Sequence, residues 1–259
     1  MVIASIQKAM TILTALAENK NKPLSLKSIS EKTGIKKTTC SHILSTLSQD
    51  GFAVRISHSK GYILGPAAYC LSNYSRYDDD FIALAHPILE WLHRKTEFAV
   101  AIAKIQGSHK YIIDYIDPTK KIYLQEANIR EDDIYRTSSG RLLLSHMDSQ
   151  SIAEIINKIG LPKSNHWPEV KSIDDLYYQL SKINKHGVLS VANDDKTSQN
   201  LCIGYSAAIY RYSICVAAIG CAVIVPREKL KDFQLKNESK LKEQILIAAN
   251  EISRRLRFT

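Results

Sequence analysis

Apolar residues recur at Ile3, Ile6, Met10, Leu13, Leu16 and Ala17. Spacings of three and four place them on one stripe of a helix. The polar run 18–22 and Pro23 stop it. Ser25 is suited to cap a short second helix with Leu26 and Ile29 inward, and Gly34 suits the left-handed position past its end. A third helix is predicted from Lys37 to Gln49, with Cys40, Ile43, Leu44 and Leu47 on its apolar face. The opposite face, Thr38, Ser41, His42, Ser45 and Gln49, carries no large apolar side chain. Asp50-Gly51 then turns the chain into two short strands, Phe52–Ile56 and Tyr62–Leu64. Three short helices and a hairpin predict a winged helix-turn-helix over residues 1–66, its helix-turn-helix spanning about 26–47.

Gly65-Pro66 closes that module, and residues 67–77 are mixed, with Tyr69, Tyr74 and Tyr77. Asp78-Asp-Asp80 is an acidic start for a helix over Phe81–Lys95, with Ile82, Ala85, Leu89 and Leu92 on one side. Pro87 predicts a kink or restart near His86. Residues 67–95 read as a helical linker whose apolar face is buried against a partner subunit or the second domain.

From Phe98 the period becomes that of strands: Phe98–Ile105, Lys110–Ile116 and Ile122–Ala127. Helices are predicted at Ser139–His146, Ser151–Lys158 and Ile173–Lys185. Strands follow near Val188–Val191, Cys202–Ile209 and Ser213–Val225, then a long terminal helix, Arg227–Arg257. Runs of strands, helices and strands again predict an α+β domain over 96–259, built on an antiparallel sheet.

Charge sharpens this division. Residues 1–65 hold nine Lys or Arg against three Asp or Glu, so +6 of the whole chain's +9 sits in its first quarter. A basic head beside a near-neutral body points to a polyanion. The apolar run Ile214–Val225 is 12 residues long, too short to span a bilayer and fitting a buried strand. With no secretory leader pattern at the N-terminus, the expected location is cytoplasmic. The five cysteines, Cys40, Cys70, Cys202, Cys215 and Cys221, form no C-x-x-C pair, so buried thiols are expected rather than disulfides or a zinc site.

On the third helix, small hydroxyls at Thr38, Thr39 and Ser41 allow close approach of the helix to a duplex. Lys36, Lys37 and Lys60 can meet phosphates, with Ser25 at the start of the preceding helix. His42, Ser45 and Thr46 are candidates for base edges. The partner expected is double-stranded DNA carrying a pseudo-palindromic operator, read by a homo-oligomer.

This layout resembles the IclR-type family of bacterial transcriptional regulators along essentially the whole chain. Ser5-Ile-Gln-Lys-Ala9 with Ile12-Leu13 is similar to the family's opening helix. Leu26–Gly34 followed by Lys37–Leu47 resembles its recognition-helix pattern, Asp50-Gly-Phe and Tyr62–Gly65 its wing, and Thr137–Ser145 its small-Gly-basic helix start. The resemblance implies a GAF-like effector domain, dimers through the N-terminal helices or dimers of dimers, and control of transcription by a small metabolite. Repression is the expected direction.

Relatives that bind small carboxylates use an acid, a cysteine and two serines. By alignment these positions fall on Val191, Tyr205, Gly220 and Ala222, with an insertion near Asn193–Asn200, and none keeps the family residue. The helix start, with the amides of Ser138, Ser139 and Gly140 and with Tyr135 just before it, keeps the look of an anion cradle. The pocket is therefore expected to take a small organic effector larger or more apolar than a short carboxylate. His42 stands where many relatives carry arginine, which removes a bidentate fork.

Two other classes compete. One is a constitutive or architectural DNA-binding protein whose second domain only oligomerises. The other is an enzyme, against which no H-E-x-x-H, G-x-S-x-G, phosphate-loop or dinucleotide-binding glycine pattern occurs. His86 and His93 lack further ligands, so no catalytic residue, cofactor or metal is expected.

Overall fold

A computed structural model of the chain describes residues 3–19, 22–57, 60–74, 78–117, 130–131, 133–193 and 198–257. The chain divides into two compact units, Met1–Tyr77 and Asp78–Thr259.

The first unit holds α1 (Ala4–Glu18), α2 (Leu26–Thr33), α3 (Lys37–Gln49), the antiparallel hairpin β1 (Ala53–Ser57) and β2 (Gly61–Leu64), and α4 (Pro66–Tyr74). Ser25 caps α2, its Oγ accepting from the Ser28 amide at 3.1 Å, and Gly34 ends it with φ +68°. Ile12, Leu16, Ile29, Cys40, Leu44 and Ala53 form its core. One expectation fails for α1. Ile12, Ala15 and Leu16 are its buried residues, whereas Ile3, Ile6 and Met10 are each more than half exposed. The predicted stripe therefore joins two faces: its end packs inward and its start lies open on a single chain. The first part of the expected helical linker is the helix α4, with Pro66 at its first position, where a missing N–H costs nothing.

The second unit opens with α5 (Asp79–Thr96). It shows no restart at Pro87. Ala83 and Pro87 are both exposed, so the carbonyl that proline leaves unbonded faces water. Among the described residues six antiparallel strands follow: β3 (Ala99–Gln106), β4 (His109–Ile116), β5 (Arg130–Glu131), β6 (Leu189–Asn193), β7 (Asn200–Arg211) and β8 (Ile214–Pro226), in the spatial order β5-β4-β3-β8-β7-β6. The strand expected over Ile122–Ala127 lies outside the described residues. Between β5 and β6 come α6 (Ser138–Ser145), α7 (Ser149–Ile159) and α8 (Ile173–Ser181). The chain continues through α9 (Leu230–Phe233), a π turn at Gln234–Glu238 and α10 (Ser239–Arg255).

Alternation along β7 sorts the two faces of the sheet. Leu201, Ile203, Tyr205, Ala207 and Ile209 pack with Leu89 and Leu92 of α5 and with Ile245, Ala249 and Ile252 of α10. The other face carries small residues and meets α6, where Leu142 and Leu143 lie on Ala103, Ala208 and Ala218. A second core, Ile134, Tyr135, Leu144, Ile152, Trp167 and Leu176, joins α6, α7 and α8.

Candidate functional sites

In the first unit, Thr38, Ser41, His42, Ser45 and Thr46 are exposed on α3, as are Lys36 and Lys37 at its start and Lys60 before β2. Thr39 is half-buried. Ser25 serves first as a cap, with its Oγ also 2.8 Å from Ser28 Oγ. No side chain caps α3, so the first-turn amides of α3 keep their positive end for an external acceptor. On the wing, the Arg55 guanidinium lies 5.6 Å from the centre of the Tyr62 ring, a base that the helix-centred sequence reading passed over.

In the second unit, Thr137 caps α6, its Oγ1 accepting from the Gly140 amide at 3.2 Å. This corrects the three-amide cradle, because one of the three donors is already spent on the cap. Gly140 also has a packing reason for being glycine: a Cβ there would lie 1.9 Å from the Ile134 carbonyl oxygen. Ser138 is buried, with its Oγ 2.7 Å from Ser206 Oγ, and a Cβ on Gly204 would meet that same Ser138 Oγ at 2.8 Å.

Lys110, on β4 and only 3% exposed, reaches the same helix start. Its ammonium donates to Thr137 Oγ1 at 3.0 Å and to Ser139 Oγ at 3.3 Å.

Two expected effector residues do not join this group. Tyr205 faces α5 and α10, because the strand register puts odd-numbered β7 residues on that side. Burial, then Glu238, pushes its phenol well above its usual range. Tyr135 belongs to the core between α6, α7 and α8. Its hydroxyl donates to the Gly160 carbonyl at 2.9 Å, and burial, then Asp133, pushes it up to about 12. Val191 and Ala222 do lie on the α6 side, since Gly204 pairs with each of them. Gly220 shares that face and pairs with Ser206.

Lys110 and Ser206 are the residues that the sequence reading missed. The signal for Ser206 was present: along 201–209 large and small side chains alternate, and only the small set lies under the α6 start. A hydroxyl therefore lies under the α6 start one residue from where alignment placed a tyrosine.

At the far end of α6, His146 Nδ1 lies 2.8 Å from the Leu142 carbonyl and Nε2 lies 2.8 Å from Tyr210 Oη. Burial lowers this imidazole's pKa. Burial raises the thiols of Cys215 to about 11 and Cys221 to about 12, which suits packing rather than nucleophilic chemistry. Among the described residues no three metal-ligating side chains come together, and no described helix is long and apolar enough to cross a membrane.

Residues 5–57 match the family description "IclR helix-turn-helix domain", and residues 77–254 match "Bacterial transcriptional regulator IclR C-terminal". The HTH-type transcriptional regulator KipR of Bacillus subtilis is 25% identical over 259 residues, covering 98% of each chain. The Acetate operon repressor of Salmonella typhimurium is 21% identical over 166 residues, 63% of this chain and 60% of that protein. A crystal structure of an IclR homolog complexed with 4-hydroxybenzoate, from Microbacterium hydrocarbonoxydans, superposes with a TM-score of 0.71 at 16% identity, covering 98% of this chain and 100% of that one. That last likeness shows the fold.

Proposed function

The chain belongs to the IclR family of bacterial transcriptional regulators, and from that premise we propose that it is a repressor whose operator binding answers to a small organic acid. The reading divides the chain into a DNA-binding domain (1–66), a helical linker (67–95) and an effector and oligomerisation domain (96–259). Two copies, paired through the open α1 face of Ile3, Ile6 and Met10, set their α3 helices in successive major grooves about 34 Å apart on a pseudo-palindrome. Lys36, Lys37, Lys60 and Arg55 hold phosphates. Thr38, Ser41, His42, Ser45 and Thr46 face the bases, with Thr39 supporting them from its half-buried place.

The observation that carries the DNA reading is the exposed, uncapped and doubly lysine-flanked start of α3. For the effector, the supporting observation is Lys110, buried against Thr137 and Ser139 beside a floor of Gly204, Ser206, Gly220 and Ala222. A buried ammonium favours an anionic group on the ligand.

The test is fluorescence anisotropy on duplex DNA from upstream of the protein's own gene, with and without 4-hydroxybenzoate and pyruvate. Tight binding relative to a shuffled duplex, weakened by one of these acids in wild type but not in Lys110→Met, is the expected result. Equal affinity for the shuffled duplex overturns the operator reading. An acid response that survives in Lys110→Met overturns the effector reading.

A further inference from the structure

A second polar cluster lies along the open edge of the sheet. β6 is the terminal strand of the sheet, so among the described residues no strand lies beside the outward backbone groups of Leu189–Asn193. A cleft of about 410 Å3 runs there, lined among others by Arg141, Trp167, Glu169, Lys182, Ser190 and Val191. Its size falls within the range of small-molecule sites. Of the residues named above for the effector, it shares only Val191.

Arg141 is the unusual member. Its Nε donates to the Tyr135 carbonyl at 2.7 Å and its Nη2 to the His166 carbonyl. Trp167 covers one face, 4.1 Å from ring centre to guanidinium carbon. A guanidinium has five N–H donors, and two of them are used. Its hydrogen-bonding partners are therefore neutral. Asp133, which also acts on Arg141 through space, is paired with His166. Glu169 acts on Arg141 through space, but among the described residues no carboxylate comes within ion-pair reach of it. Burial lowers the guanidinium to about 10, the mark of a cation removed from water without a contact counter-ion. The two carbonyls and the tryptophan fix its plane, so its remaining edge is already oriented. Lys182 adds a second positive charge to the lining, its ammonium 3.9 Å from the centre of the Tyr178 ring, so the cleft carries two cations against the one acid Glu169.

We propose that this edge cleft binds the carboxylate of a small organic acid, held by the free edge of Arg141 and drawn in by Lys182. A carboxylate supplies the missing counter-ion through charge-assisted hydrogen bonds, and Glu169 competes with it. The site stands whether or not the ligand at the α6 start proves to be the effector, because its readout needs no DNA.

Trp91 and Trp167 are the chain's two tryptophans, so in the full-length Trp91→Phe protein Trp167 reports on the cleft alone. Titration with benzoate and succinate at fixed ionic strength, with inorganic phosphate as control, should give a saturable fluorescence change for at least one acid. Arg141→Gln should weaken it at least tenfold, about 1.4 kcal/mol, and Lys182→Gln should weaken it less. Glu169→Gln, an exposed change that does not touch the fold, should tighten it, which keeps the test open where Arg141→Gln fails to fold. Lys110→Met should leave the response in place. The proposal falls if neither acid gives a saturable change or if phosphate alone does. It also falls if Glu169→Gln leaves affinity unaltered, or if Lys110→Met removes the signal, which then belongs to the α6 start.

Discussion

Two helix starts in this molecule have lysines beside them, and they are finished in opposite ways. The start of α3 is exposed, has no side-chain cap and is flanked by Lys36 and Lys37. The start of α6 is capped by Thr137, sits on the sheet through Ser138 and Ser206, and has a lysine of its own that is almost wholly buried. Lysines in water meet a polyanion through many weak, salt-screened contacts. A desolvated lysine meets one anionic group at a time, strongly and with little screening. On the proposed function, the same local device serves a surface that tracks a duplex and a site that holds one small molecule.

The comparison breaks most severely at Gly140. Alanine there drives a Cβ into the Ile134 carbonyl, and a loss of about 3 kcal/mol is expected in denaturant unfolding of the second unit. The caps sharpen it next. Thr137→Ala removes an N-cap and should cost about 1 kcal/mol. Lys36→Ala removes none, so it should change stability by less than about 0.5 kcal/mol while lowering DNA affinity. Equal stability losses in the two variants would erase the distinction between the two starts.

A smaller effect sits at the other end of α6. Burial holds His146 below its ordinary 6.5, so the folded protein prefers the neutral ring. Its contribution is fully present above the unfolded value and is lost as pH falls from there toward the lower folded value. Thermal unfolding should therefore show stability declining below about pH 6.5, and His146→Gln should flatten that decline. An unchanged pH profile in the variant removes His146 from the account.

How much of this was legible depends on how far apart the cooperating residues lie. The head is local: the cap at Ser25, the turn at Gly34 and the polar face of α3 all follow from neighbours within a few positions, and the helix α3 occupies the predicted Lys37–Gln49. The α6 start is not local. Lys110 approaches Ser139 from a strand 29 residues earlier, and Ser206 meets Ser138 across 68 residues. No spacing rule relates these pairs. Tyr205 was misplaced because a shift of one residue exchanges the two faces of a strand. The α1 stripe misled for a related reason, since spacings of three and four fit both a buried face and a face left open for a partner.

The most direct test of this division is the salt dependence of operator binding, measured by anisotropy for wild type, Lys37→Ala and Lys110→Met. If α3 meets the phosphates and the α6 start does not, Lys37→Ala lowers the slope of log affinity against log salt by about one, and Lys110→Met leaves it unchanged. A slope unaffected by Lys37→Ala, or one reduced by Lys110→Met, contradicts the assignment of the two charged helix starts to two different anions.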